Sequence, residues 1–463
     1  MDVLSRLDAA FLQAEDADEH VSMAISSVGI FDGAPPTHDE LCRSLAARLP
    51  LIPRYYQRLR RYPLDVAAPV WVNDPDFDID FHVRRTAVAA PGGDAELDQL
   101  IGRLMAQRLD RNRPLWEMWV VEGMSGGRWA LVSKIHHAMA DGVGGTQLYH
   151  LLLSLTPDVN EADFATQGFV PPPPQGRREL AADALRRTAV TPVHLAGRIG
   201  HASRHPKQLL FRAAATAQGL AGLAHAIKPA TASTLTGPIE RQRRYTSATV
   251  SLDDVKRIRS HFPVTINDIA VAAVTAGFRA LLLARREEPT GHSVRSLIPT
   301  NVRVAGTEGE LANRVSCRVA DLPVQIADPV SRLRSVHQHL TEAKNLHEAE
   351  AGEALVELTE YEPSLAVSAM LRLAFRLPQH NIVTVTTNVP GPPVPLYLLG
   401  RKLTRLLPFV PIADRVRVGV AMLSYCEELT FGITGDYGTT ADINVLRDAI
   451  SAEIAALLKA AES

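Results

Sequence analysis

The chain has 463 residues, 46% hydrophobic and 22% charged, which describes a soluble globular protein long enough for two domains or two coupled halves. Its formal net charge of -2 argues against nucleic acid as a main partner. The three scattered cysteines, Cys42, Cys317 and Cys426, share no disulfide or zinc-type spacing, which fits a reducing cytoplasm and no metal site.

The stretch from Met1 to Asp8 has early acids and no apolar core, so no secretory signal is expected. From about 20 to 160, strand-like and helix-like segments alternate. Ser22 to Phe31 reads as a strand and Glu40 to Leu49 as a helix. Leu97, Leu100, Ile101, Leu104, Met105 and Leu109 fall on one helical face. Trp116 to Val121 and Trp129 to Ile135 read as paired strands around a turn with Gly123, Ser125, Gly126 and Gly127. Pro171 to Pro174 form a stiff break, and Gly176 to Lys228 turns basic, with Arg177, Arg186, Arg198 and Lys207 among its cations. That region is either a basic amphipathic surface for anionic lipid or a crossover linker with solvated charges.

The α/β pattern resumes near Tyr245. Ser247 to Leu252 reads as a strand, followed by a helix that Asp253 or Asp254 would cap. Ile266 to Ala284 is the most apolar long window, but Asn267, Asp268 and Arg279 make it a buried helix and not a membrane span. Strands are expected at Val294 to Pro299, Val315 to Leu322, Ile382 to Thr387, Arg415 to Ser424 and Leu429 to Thr434. Pro329 to Phe375 reads as mostly helical, and Ile443 to Ala460 as a closing helix. The divisions are therefore 1–159, a Pro-containing basic crossover over 160–244, and 245–463.

His136-His137-Ala138-Met139-Ala140-Asp141-Gly142 carries the chemistry. It follows the apolar run Trp129 to Ile135. Adjacent side chains on extended backbone point to opposite sides, so only one histidine faces a given cleft. Histidine is the usual proton carrier near neutral pH, and the arrangement suggests a general base more than a nucleophile.

The stretch resembles the HHxxxDG signature of the coenzyme A-dependent acyltransferase superfamily. Other segments narrow the likeness. Leu109-Asp110-Arg111-Asn112-Arg113-Pro114-Leu115-Trp116-Glu117 is similar to a segment of the wax ester synthase/acyl-CoA:diacylglycerol acyltransferase family, and Leu7 to Leu12 resembles its opening. Val264 to Asp268, Pro299 to Arg303, Thr387 to Pro392 and Ser424-Tyr425 match further segments. The likeness covers nearly the whole chain and is strongest to the actinobacterial triacylglycerol synthase subgroup.

This resemblance implies an α/β fold of two chloramphenicol acetyltransferase-like mixed-sheet halves, with an active-site tunnel between them. It implies acyl transfer from acyl-CoA, as co-substrate, to diacylglycerol or a long-chain alcohol, with no bound cofactor or metal. The rival of another class is a lipid-surface binding protein with little turnover. His137 takes the base role, with no acyl-enzyme, and His136 a loop-shaping or direct role. Asp141 holds the loop through an ion pair for which Arg303 is the candidate, and Gly142 gives room. Asn267 is either an oxyanion donor or, with Asp268, a helix N-terminal pair. Pro114-Leu115-Trp116 reads as packing, and Asn388 to Pro392 as a channel loop or a rigid turn. Ala312-Asn313 stands where the family often has Gly-Asn, implying a local adjustment. The implied location is cytoplasmic, with peripheral contact at the inner membrane face or lipid droplets.

Overall fold

Two mixed sheets follow from this alternation. The computed structural model describes residues 2–62, 69–139, 151–165, 168–174, 176, 179, 233–302, 314–350, 382–413 and 415–463. The strands are β1 (Ala24–Asp32), β2 (Gln57–Arg60), β3 (Val70–Asn73), β4 (Val83–Ala87), β5 (Trp116–Met124), β6 (Arg128–His136), β7 (Arg243–Ser251), β8 (Arg295–Val302), β9 (Arg314–Asp321), β10 (Thr384–Val389), β11 (Tyr397–Leu398), β12 (Arg401–Phe409), β13 (Val418–Tyr425) and β14 (Glu428–Asp436). The helices used below are α1 (Arg6–Ala17), α2 (His38–Arg48), α3 (Ile79–His82), α4 (Asp94–Ala106), α5 (Leu252–His261), α6 (Ile266–Ala284), α7 (Pro329–Glu350) and α8 (Ile443–Ala461).

The first sheet has the order β11-β12-β1-β6-β5-β4, and the second β7-β14-β13-β10-β8-β9. Both are mixed: β4 runs parallel to β5, and β10 parallel to β8 and β13, while the other pairings are antiparallel. A separate hairpin joins β2 to β3. The expected pairing of the two tryptophan-led strands holds, with Trp116 opposite Ile135.

Helix positions follow local chemistry. Thr37 and Glu40 form a reciprocal capping box for α2, and Thr265 and Asp268 do so for α6. For α5 the cap is Ser251, whose hydroxyl accepts from the Asp254 amide. This corrects the expectation of Asp253 or Asp254. The N-cap must precede the first turn, and the two aspartates lie inside it, where they complement the helix dipole. α4 buries the anticipated stripe of Leu97, Leu100, Ile101, Leu104 and Met105. α6 is long and apolar enough to cross a membrane, but 72% of that window is buried within the protein, as a core helix. The helical reading over 329–375 holds through Glu350, and the rest lies outside the described residues.

One crossing ties the halves together. β12 comes from late in the chain yet pairs with β1, in the first sheet. There, Tyr245 of β7 donates its hydroxyl to the Pro408 carbonyl at 2.9 Å. Gly432 of β14 lies beneath the same carbonyl, and a Cβ there would sit 1.9 Å from it. Only glycine permits that approach. Tyr245, Leu423, Tyr425 and residues 396–409 accordingly supply side chains to the first hydrophobic core, and α6, β13, β14 and α8 build the second.

Candidate active site

β6 carries the two histidines to the end of the first sheet. His136 is its last residue, opposite Ala24, and His137 opens a short 3-10 turn through Met139. Backbone bonds fix both: His136 N–H donates to Leu115 O, and His137 N–H to Met23 O, each at 2.9 Å. The side chains then diverge, as alternation requires.

His136 is 1% exposed and points into the protein. Its Nδ1 accepts the Ala138 amide at 3.0 Å, which leaves the ring proton on Nε2. Nε2 lies 3.3 Å from Glu15 Oε1. Contact at that distance is electrostatic in character, since the angle does not suit a hydrogen bond and Nε2 has no hydrogen-bond partner. Glu15 also accepts the Met23 amide at 2.7 Å and the Arg111 guanidinium at 2.7 Å. Burial alone would raise the Glu15 pKa, but His136, Arg111 and the Met23 amide outweigh it and hold the carboxyl at about 2. These contacts of His136 brace the turn that presents His137.

His137 stacks on Phe11 of α1, with ring centroids 3.7 Å apart and planes at 28°. Its Nδ1 is buried without a hydrogen-bond partner. Burial pushes its pKa down to about 4. The neighbouring His136 ring acts in the same direction, and its own backbone opposes it. The imidazole is thus neutral at pH 7 and able to accept a proton. Lys134, three residues before His137 on β6, is fully buried, donating Nζ to Leu104 O at 2.9 Å and Gln107 O at 2.6 Å. Burial lowers its pKa to about 8.

The 109–117 segment proves to be a scaffold for this turn. Arg111 bridges Glu15 and the Leu12 carbonyl of α1. Trp116, 1% exposed, donates Nε1 to Tyr55 O at 2.7 Å and stacks on His82, so the packing reading of Pro114-Leu115-Trp116 holds. Glu117 accepts from Trp119 Nε1 at 3.0 Å. Sequence reasoning missed Phe11 and Glu15. The resemblance of 7–12 to a family opening pointed to α1, but nothing local said that it lies across the histidines.

On the second sheet's side, Asn388 at the end of β10 donates Nδ2 to Asn267 Oδ1 at 3.1 Å. Two separate sequence segments thus meet. With its carbonyl engaged, Asn267 keeps its own N–H groups for another acceptor. Asp268 takes the helix-end reading: its carboxylate accepts the Thr265 amide at 2.8 Å and lies 2.8 Å from His337 Nδ1. The 388–392 segment is clamped to β13, with Gly391 N–H donating to Ser424 Oγ at 3.1 Å. A Cβ at Gly391 would lie 1.9 Å from the Ser424 carbonyl. Asp141, Gly142, Arg303, Ala312 and Asn313 lie outside the described residues, as does most of the basic stretch. Beside α1, a groove of about 310 Å³ is lined by Leu12, Arg58, Arg60, Arg61, Arg111 and Asn112, with Leu59.

Comparison with known proteins agrees with this geometry. The pattern described as the wax ester synthase/diacylglycerol acyltransferase catalytic domain matches residues 4–270, and that of the WS/DGAT C-terminal domain matches 311–458. A probable diacylglycerol O-acyltransferase (tgs1) of Mycobacterium tuberculosis is 42% identical over 99% of this chain and 96% of its own. A second, putative one from that organism is 35% identical over 98% and 90%. Among solved structures, the wax ester synthase/diacylglycerol acyltransferase of Marinobacter aquaeolei VT8 superposes with a TM-score of 0.70 at 24% identity, covering both chains fully. The first condensation domain of the calcium-dependent antibiotic synthetase does so at 0.59 and 16% identity, over 98% and 96% of the chains. At these identities the structural likenesses speak for the fold.

Proposed function

From a chain that belongs to the wax ester synthase/diacylglycerol acyltransferase family, we propose an enzyme that moves a long-chain acyl group from acyl-CoA to 1,2-diacylglycerol, giving triacylglycerol and free coenzyme A. The observation that carries this reading is His137: half-buried, neutral at pH 7 and stacked on Phe11 at the end of β6. Its imidazole takes the acceptor hydroxyl proton as that oxygen attacks the thioester carbonyl. The carbon–sulfur bond then breaks, and the proton passes to the departing thiolate. No acyl-enzyme enters this balance. Asn267, aimed by Asn388, is the proposed donor to the oxyanion formed in between. The roles proposed for Asp141 and Gly142 are to shape the histidine loop, and that for Arg303 to pair with Asp141.

The two substrates are proposed to meet at His137 in a tunnel between the halves, where orientation supplies much of the rate. The arginine-lined groove beside α1 suits the phosphates of coenzyme A, since guanidinium groups bind such oxyanions in a fork. Diacylglycerol resides in lipid, so the proposed location is cytoplasmic and peripheral, on the inner membrane face or lipid droplets. The 176–228 stretch is the proposed contact.

An acceptor panel with purified protein and palmitoyl-CoA tests the reading. Diacylglycerol is expected to outcompete hexadecanol, with coenzyme A released one for one with triacylglycerol. Preference for hexadecanol would make the protein a wax ester synthase, and lipid binding without turnover would leave only a surface protein.

A further inference from the structure

Away from the histidine turn, three side chains of different type converge where α2 meets α3. His38 opens α2, and Cys42 lies one turn later on the same face. Asp80, on α3, comes from a separate part of the chain. His38 Nε2 is 2.7 Å from Asp80 Oδ1, and Cys42 Sγ is 3.5 Å from His38 Nε2 and 3.6 Å from Asp80 Oδ1. All three donor atoms fall within 4.8 Å of one another.

These separations can be compared with a tetrahedral ion. Bonds of about 2.3 Å to sulfur and about 2.0–2.2 Å to nitrogen and oxygen place sulfur about 3.5 Å from either of the others, and nitrogen about 3.3 Å from oxygen. Both sulfur edges therefore already match. The nitrogen–oxygen edge must open by roughly 0.6 Å to reach that geometry. Asp80 has the freedom to do it, with a side chain 68% exposed, and His38 at 40% leaves the ion a path from solvent. α2 itself is fixed: Leu41 and Leu45 are fully buried, and the Thr37–Glu40 box holds its first turn. The thiol proton now bridges sulfur to the carboxylate, in the place a cation would take.

We propose that His38, Cys42 and Asp80 bind one zinc-class divalent cation, four-coordinate, with water in the remaining position. A set of one imidazole, one thiolate and one carboxylate favours zinc or cobalt over magnesium or calcium, which prefer all-oxygen shells. The site is separate from the proposed acyl transfer and takes no part in that reaction.

The test uses the untagged full chain after dialysis against chelator. Cobalt(II) is expected to give a thiolate-to-metal charge-transfer band that saturates at one equivalent, and zinc to displace it. Zinc should also raise the melting temperature, because a ligand that binds the folded state stabilises it. Cys42→Ser should remove the band, and Asp80→Ala should weaken zinc by about tenfold or more, as loss of even an outer-shell partner does. The exposed Asp80 tolerates replacement, so that variant decides the matter should Cys42→Ser fail to fold. Absence of the band, its persistence in Cys42→Ser, or unchanged zinc affinity in Asp80→Ala would each overturn the site.

Discussion

The two sheets bury polarity in different ways. Behind the histidine turn, the first sheet and α1 enclose charges: Glu15, Glu117 and Lys134 are each under a tenth exposed, beside the equally buried His136. At the centre of the second sheet the buried polar side chains are the hydroxyls of Ser296, Thr384, Thr386, Thr430 and Thr434, and the charges this half buries lie away from it, among them Asp436 at the end of β14 and the Arg332–Glu453 pair between α7 and α8. Ser296 donates to Thr386 at 2.9 Å, and Thr384 to the Val418 carbonyl at 2.8 Å. The amide pair Asn267–Asn388 belongs to this neutral side. A site that moves a proton needs its charges held in place on one side, and fixed dipoles suffice where an oxyanion develops. The asymmetry fits the proposal that the first half handles the proton.

The largest break in that contrast is His137→Ala. It should lower kcat by about 10²–10⁴-fold, with the fold intact by melting temperature. The wild-type pH profile sharpens the point. A base whose pKa is lowered to about 4 stays neutral as pH falls from 7 to 5.5, so kcat/KM should be flat there. A solvent-exposed histidine of pKa near 6.5 would lose about tenfold over the same interval. An acid limb near 6.5 would mean that burial does not set the base.

Asn267→Ala tests the neutral side. Loss of an oxyanion donor should cost about 10²–10³-fold in kcat with little change in KM. Asn388→Ala should show a smaller fall in kcat of the same kind, because it aims Asn267 and need not touch substrate. A change in melting temperature with kcat preserved would make the pair structural.

The smallest effects compare burial of charge with burial of hydroxyls. Glu15→Gln removes the carboxylate shared by His136 and Arg111 and should destabilise by about 2–3 kcal/mol in urea, discounted because Arg111 is partly exposed. Thr386→Val removes the nearer acceptor of the Ser296 hydroxyl, leaving only the Leu297 carbonyl at 3.4 Å, and should cost about 1–2 kcal/mol. Linkage separates them further. The Glu15 pKa is depressed in the fold, so its contribution is present above about 4.5 and lost as pH falls toward about 2. The Thr386 effect should not vary with pH. Equal, pH-independent losses would erase the distinction between the sheets.

Much of this was legible beforehand where local chemistry is strong. The paired tryptophan strands, the α4 stripe and the α6 helix announce themselves by period and caps. β12 did not. Arg401, Lys402, Arg405 and Pro408 disguise it, and proline lacks the N–H a central strand wants. Its partner β1 lies hundreds of residues earlier. The cysteines were weighed only against one another, so the His38, Cys42 and Asp80 convergence went unseen.

The sequence by itself determined the kinds of element and the family, and singled out the histidine proposed to move a proton, because periodicity, capping and motif spacing are local properties. Tertiary structure alone decided that Glu15 faces His136, that Phe11 covers His137 and that Asn388 meets Asn267 across 121 residues. Periodicity states which face a side chain occupies. It does not state which distant segment packs on that face, and burial by that segment is what makes His137 a neutral base.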